Sequence, residues 1–198
     1  MKRKTFDMVL TAGGAVLVVV LLVAGGLLMW GASFANNSVH SQLVSQKIFF
    51  PAAGSAALAS PEIGPYLNQY AGQQLVTGTQ AETYANHFIG VHLTEIAAGK
   101  TYAQVSAASL ADPTNATLKA EAQTLFQGNT LRGLLLNAYA FSVFGMIALI
   151  AGIASFVLAG VMLVLTMLGM AHFRRVPEDA EFPKTIEGAH SVKVPVAA

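Results

Sequence analysis

Residues 133–171 read GLLLNAYAFSVFGMIALIAGIASFVLAGVMLVLTMLGMA, without one charged side chain. A run this apolar is a transmembrane helix candidate. It is also longer than a bilayer needs. About 39 residues of helix at ~1.5 Å each extend roughly 58 Å, against a hydrocarbon core of ~30 Å. Tilt absorbs part of that excess and not half of it. The run holds no Pro and no Gly-Gly pair to turn it into a hairpin, so it reads as one straight helix. Arg174 and Arg175 follow directly and fix its C-terminal end at a membrane face. The excess lies at the start, where Asn137, Tyr139 and Ser142 interrupt the apolar pattern. The expectation is one long helix over residues 133–172, with about 146–171 in the membrane and the outer part packed into a small domain.

A second apolar run, residues 8–34, follows a short tail, residues 1–7, that carries Lys2, Arg3 and Lys4. About 27 residues make ~40 Å of helix, enough to span. Trp30 stands near its far end, where aromatic side chains favour the interface. Ser33-Phe34-Ala35 would pass as a signal-peptidase site, but a signal sequence has an apolar region of about 7–15 residues, so the run reads as an uncleaved anchor. Basic residues flank both spans on the side of the termini, so both termini are expected in the cytoplasm of a plasma-membrane protein that crosses twice.

Composition agrees. Of 198 residues, 54% are hydrophobic and 11% charged, which fits a membrane protein. The net charge of +1 speaks against a nucleic-acid partner. With no Cys there is no disulfide, thiolate metal site or thiol nucleophile. That composition leans toward a bacterial source.

The segment between the spans, residues 35–132, is long enough for one small extracytoplasmic domain. Val39, Leu43, Val44 and Ile48 keep helical spacing, so the first helix is expected to run to about Phe50 and stop at Pro51. Residues 52–65 are rich in Ala, Gly, Ser and Pro and read as a loop, and residues 65–74 as a short helix. The clearest helix is expected over residues 79–98, opened by a Thr79–Glu82 capping box and closed by Gly99. On a regular helical wheel, Thr83, Asn86, His87, Gly90 and Thr94 make a polar stripe and the rest is apolar. A further short helix falls within residues 100–110. Another, over 113–127, buries Leu118, Ala122, Leu125 and Phe126, and Gly128-Asn129-Thr130 breaks the chain before the long helix. The tail at residues 173–198, with Pro177, Pro183 and Pro195, is expected to be flexible.

Two sets of residues stand out. His92 and Glu95 fall one turn apart on the apolar arc of the 79–98 helix and are read as a buried polar pair. The ordinary outcome is a hydrogen-bonded structural pair; the sharper one is a metal or lipid site or a proton-responsive latch, with His40 a candidate from another helix. A metal site needs a third and fourth ligand that the sequence does not supply, so no cofactor is expected. Ala148, Ala151, Gly152, Ser155 and Ala159 form a small-residue stripe that lets helix backbones approach, either between the two spans or with a partner helix. No phosphate-binding loop, nucleophile elbow or H-E-x-x-H pair is present, and no catalytic residue is assigned.

The stretches Tyr84-Ala85-Asn86-His87-Phe88-Ile89 through His92, then Gly99-Lys100-Thr101-Tyr102, Thr124-Leu125-Phe126 and Leu131-Arg132-Gly133, resemble those of small actinobacterial membrane proteins. The resemblance implies two spans, an outer helical domain and a bacterial plasma membrane. Some members carry the name of an aromatic ring-opening dioxygenase. Such iron chemistry uses a two-His-one-carboxylate set, and this chain offers one His–Glu pair. The expectation is therefore an all-α protein: two transmembrane helices extended into a helical extracytoplasmic domain. Its expected role is non-enzymatic, as an accessory or scaffold subunit of a cell-envelope complex or a structural homo-oligomer. The alternative is a sensor or ligand-binding protein. The expected partners are the lipid bilayer and a membrane protein or a second copy.

Overall fold

Two apolar helices carry most of the chain in the computed structural model, which describes residues 3–175 and Pro177. They are α1, Arg3–Gln46, and α7, Ala116–Phe173. Between them lie α2 (Ala56–Ala59), α3 (Gly64–Leu67, continued by a 3-10 turn at Asn68–Tyr70), α4 (Gly78–Tyr84), α5 (Gly90–Ile96) and α6 (Tyr102–Ala111). The described residues form an all-α fold; one isolated antiparallel bridge, Phe49 with Gln74, is the nearest approach to a sheet. The most apolar 18-residue windows of α1 and α7 have mean hydropathy 2.5 and 2.7 and are only 17% and 11% buried. A core helix of a soluble domain buries most of such a window. These two present apolar side chains outward and are long and apolar enough to cross a membrane. Met1, Lys2 and most of the expected tail at 173–198 lie outside the described residues.

The chain forms two compact units. In the unit drawn from Met1–Gly25 and Ala154–Ala198, α1 and α7 run antiparallel and meet at small residues. Gly25 lies under the Phe156 ring, Gly14 against the Thr166 side chain and Gly169 by Thr11, while Lys4 Nζ stands 5.7 Å from the Phe173 ring centre. In lipid there is no hydrophobic force between helices, so such close approach supplies the attraction by dispersion. In the unit Gly26–Ile153 the helices meet the same way, with Gly145 against Ala35 and Gly152 against Leu28 and Met29.

The second unit also holds the domain's core. Val39 and Leu43 of α1, Leu135 of α7, and Phe50, Leu58, Ile63, Leu67, Leu75, Ala81 and Ala85 pack into one cluster, with Leu67, Leu75, Ala81 and Ala85 fully enclosed. A smaller cluster joins Ala97, Val105 and Leu125.

Several boundaries differ from expectation. Helix α1 stops at Gln46 and not near Phe50, because Lys47 turns to φ +52° and Ile48–Phe50 pair in extended form with Gln73–Leu75. A short α2 interrupts the expected loop at 52–65. The capping box at α4 is Thr77 with Gln80, two residues before the expected one, since Gln fills that role as well as Glu. Gly99 does close the helix: its N–H reaches the Thr94 carbonyl at 2.9 Å with φ +77°. Phe126 is exposed rather than buried and lies beside the Tyr102 ring. The largest correction is that α7 begins at Ala116 and passes unbroken through Gly128-Asn129-Thr130. Asn129 and Thr130 bond back to the Leu125 and Phe126 carbonyls, and Gly128 gives way to the Leu93 side chain, so the residues expected to break the helix fit within it.

Glycines with and without neighbours make a test of this packing. A Cβ at Gly78 would run into the Ser142 side chain and stand 3.3 Å from the Tyr139 Cα, whereas one at Gly133 meets nothing within 4 Å. Gly78→Ala is expected to destabilise by about 1–3 kcal/mol through overpacking. Gly133→Ala is expected to stabilise by up to ~1 kcal/mol through helix propensity. Thermal unfolding followed by circular dichroism reads both; equal effects would show that α4 does not press on α7 here.

Candidate functional site

Helices α4 and α5 are one helical rod interrupted by a π turn at Ala85–Ile89. The Gly90 N–H bonds the Ala85 carbonyl, five residues back. A Cβ on Gly90 would crowd that carbonyl at 3.3 Å, which is where a residue without one fits. A wide turn carries an extra residue, so side chains beyond it rotate by roughly one residue's ~100° relative to a regular helix.

Asn86, in that turn, links α4 to α7. Its Nδ2 donates to Glu82 Oε1 at 2.7 Å, and its Oδ1 accepts from Arg132 Nη2 at 2.8 Å. The relay holds the amide in one orientation and the guanidinium against it. Arg132 is half-buried, its Nε is enclosed without a hydrogen-bond partner, and Asn86 is its one hydrogen-bond acceptor among the described residues. The same guanidinium borders a cleft of about 360 Å³ shared with Gly90, Leu93, Lys100, Tyr102 and Asn129. No carboxylate lines it. Helix α6 starts at the cleft: Thr101 caps the Gln104 N–H at 3.3 Å, and Gln104 Oε1 accepts from the Thr101 N–H at 2.8 Å. The first N–H groups of α6, at Tyr102 and Ala103, have no carbonyl within the helix to meet, and both residues line the cleft.

The expected buried pair is corrected. Glu95 is exposed, and His92 is half-buried with Nδ1 2.7 Å from the Phe88 carbonyl and its ring 4.5 Å from that of Phe88. The π turn is the reason: it rotates residues beyond 89 off the regular wheel and carries Glu95 into solvent. His87, on the expected polar stripe, stacks on Tyr66 at 3.5 Å and 9°. His40 Nδ1 lies 3.2 Å from the Val76 carbonyl. Among the described residues no three His, Asp or Glu side chains gather as a metal site would need. Of the small-residue stripe, Gly152 meets α1 within the chain. In the unit Gly26–Ile153, Gly152 is buried against Leu28 and Met29 while Ala148 and Ala151 are half-buried. In the other unit Ala159 is buried and Ser155 half-buried.

Comparison of the chain with protein-family models, with curated proteins and with solved structures found no match.

The one displaced titration in this region is that of Tyr84, whose ring packs between Phe50 and Phe88. Burial disfavours the phenolate and pushes the group above its ordinary 10.0. Below about pH 10 folded and unfolded chains both keep the proton and the shift contributes nothing to the pH dependence. As pH rises further the unfolded chain releases its proton first, so stability falls. The unfolding temperature is expected to decline above about pH 10, less steeply in Tyr84→Phe; parallel profiles would assign the decline to other groups.

Proposed function

We propose that this chain is a non-enzymatic accessory or scaffold subunit of a membrane complex. It lies in a bacterial plasma membrane with both termini cytoplasmic, as in the actinobacterial two-span family its motifs resemble. The observation that carries this reading is an uncovered apolar groove outside the stretch a bilayer covers. Lys4 and Trp30 lie about 39 Å apart along α1, close to the ~40–45 Å of a bilayer with its interfaces. Trp30 is 68% exposed and stacks on Phe34, as an interfacial anchor would. The same length counted back along α7 from Arg174 ends near Ala148. Beyond these points Val39 of α1, Ile48 just after it, and Leu131, Leu134 and Phe141 of α7 border a groove of about 410 Å³. Leu134 is 63% exposed. An apolar surface of this kind in water marks an interaction site.

The occupant that fits is an apolar helix of a partner membrane protein. The floor is uncharged, and Gln42, Gln46 and Asn137 offer amides to a helix crossing in the same orientation. Gly152 of the small-residue stripe already has Leu28 and Met29 of α1 against it. A second reading, a ligand-binding membrane protein, is favoured by the charged cleft at Arg132.

The assembly is tested by native mass spectrometry of the chain drawn from its own membrane, with a photoreactive residue at position 134. A hetero-complex cross-linked through 134 and dissociated by Leu134→Arg, with helicity and unfolding temperature unchanged, is the expected result. A bare monomer, or a homo-oligomer indifferent to Leu134→Arg, would overturn it. Protease added from outside intact cells is expected to spare the C-terminal tail; cleavage there would refute the proposed orientation.

A further inference from the structure

We infer that the cleft between α5, the start of α6 and α7 is a binding site for a small oxyanion, with Arg132 and Lys100 as its charged anchors. Three observations converge on it. The first is electrostatic. A half-buried guanidinium has lost part of its hydration and normally gains a carboxylate in exchange. Arg132 has only the Asn86 amide oxygen, and its Nε is enclosed without a partner. The nearest linked carboxylate, Glu82, is already bonded to the far side of that amide. The relay fixes the guanidinium without occupying its other N–H groups.

The second observation is the lining. Lys100 adds a second positive charge, and no Asp or Glu borders the cleft to cancel either. The third is the start of α6. This helix has ten residues, and its free first-turn N–H groups sit at Tyr102 and Ala103 in the cleft wall. Aligned peptide dipoles there favour negative charge. Leu93 and Leu125 supply one apolar wall, so the fitting ligand carries a short hydrocarbon body behind its anionic group. The cleft volume of about 360 Å³ suits a molecule the size of a small organic acid or a small phosphate ester. Both classes share the oxyanion that the guanidinium, ammonium and N–H groups recognise.

The test uses the full chain in lipid nanodiscs. Thermal unfolding is followed while inorganic phosphate or, separately, succinate is titrated at constant ionic strength. A ligand that binds the folded state raises the transition in a saturable way. The expected result is such a rise with at least one probe. Arg132→Gln is expected to weaken binding about tenfold or more, as loss of a charge-assisted contact does. Lys100→Gln, a change at an exposed side chain, is expected to weaken it about two- to fivefold. Glu95→Gln, outside the cleft, is expected to leave the affinity unchanged. A stronger response to phosphate assigns the ligand to phosphate esters, and a stronger response to succinate to organic acids. A transition that does not move with either probe, or a rise that is the same in Lys100→Gln as in the parent, overturns the inference. Lys100→Gln decides the matter alone should Arg132→Gln fail to fold.

Discussion

A helix that enters a bilayer must satisfy its own backbone hydrogen bonds, because lipid offers no substitute donors or acceptors. Helix α7 does so over 58 residues, from Ala116 to Phe173, and the rest of the structure is arranged on that continuity. A span needs about 20 residues. The remaining length leaves α7 available to two environments, so one element contributes Leu125, Leu135 and Arg132 to the helical domain and an apolar shaft to the membrane. Continuity also explains the treatment of the residues that would ordinarily end a helix. Gly128, Asn129 and Thr130 stay inside α7 because the two polar side chains bond the helix's own carbonyls and the glycine admits Leu93.

The small residues follow from the same constraint. Helices in lipid gain nothing from hiding apolar surface from water, so α1 and α7 hold together where their backbones come close. Within each unit the contacts are glycine against a larger side chain: Gly25 with Phe156, Gly152 with Met29. A stripe spent on this internal contact leaves the outward faces to Val, Leu, Ile and Phe. Those faces suit lipid along the spans. Around Leu131 and Leu134 they border the groove proposed above as the docking site of a partner helix.

The fold was legible to the extent that it depends on hydropathy and on local chemistry. The two long helices follow from runs without charge, and the stop after α5 follows from Gly99. The candidate site was far less legible, for two physical reasons. First, the π turn at Ala85–Ile89 has no periodic signature. A regular wheel drawn through it places Glu95 in the interior when the added residue rotates it to solvent. Second, the Arg132–Asn86 bond joins positions 46 residues apart, and only packing brings them together. The one local hint was Glu82 with Asn86, four residues apart on one helical face, a spacing that permits the hydrogen bond they form. Residue type alone drew attention to His92, which satisfies itself on the Phe88 carbonyl of its own helix.

The π turn and the cation are connected. A wide turn is less favourable than a regular one and persists where the surroundings hold it. Here Asn86 within the turn is clamped from both sides, by Glu82 on α4 and Arg132 on α7. Gly90 follows, with no side chain to crowd the Ala85 carbonyl, which a Cβ would approach to 3.3 Å, or the enclosed Arg132 Nε at 3.5 Å. A carboxylate at position 86 would pair with the guanidinium but would stand against the Glu82 carboxylate, whereas the amide donates to Glu82 and accepts from Arg132 at once. An amide fixes the position of Arg132 and leaves the charge in place. Asn86 is thus a neutral bridge between two charged side chains, and the remaining N–H groups of Arg132 are left for the ligand inferred above.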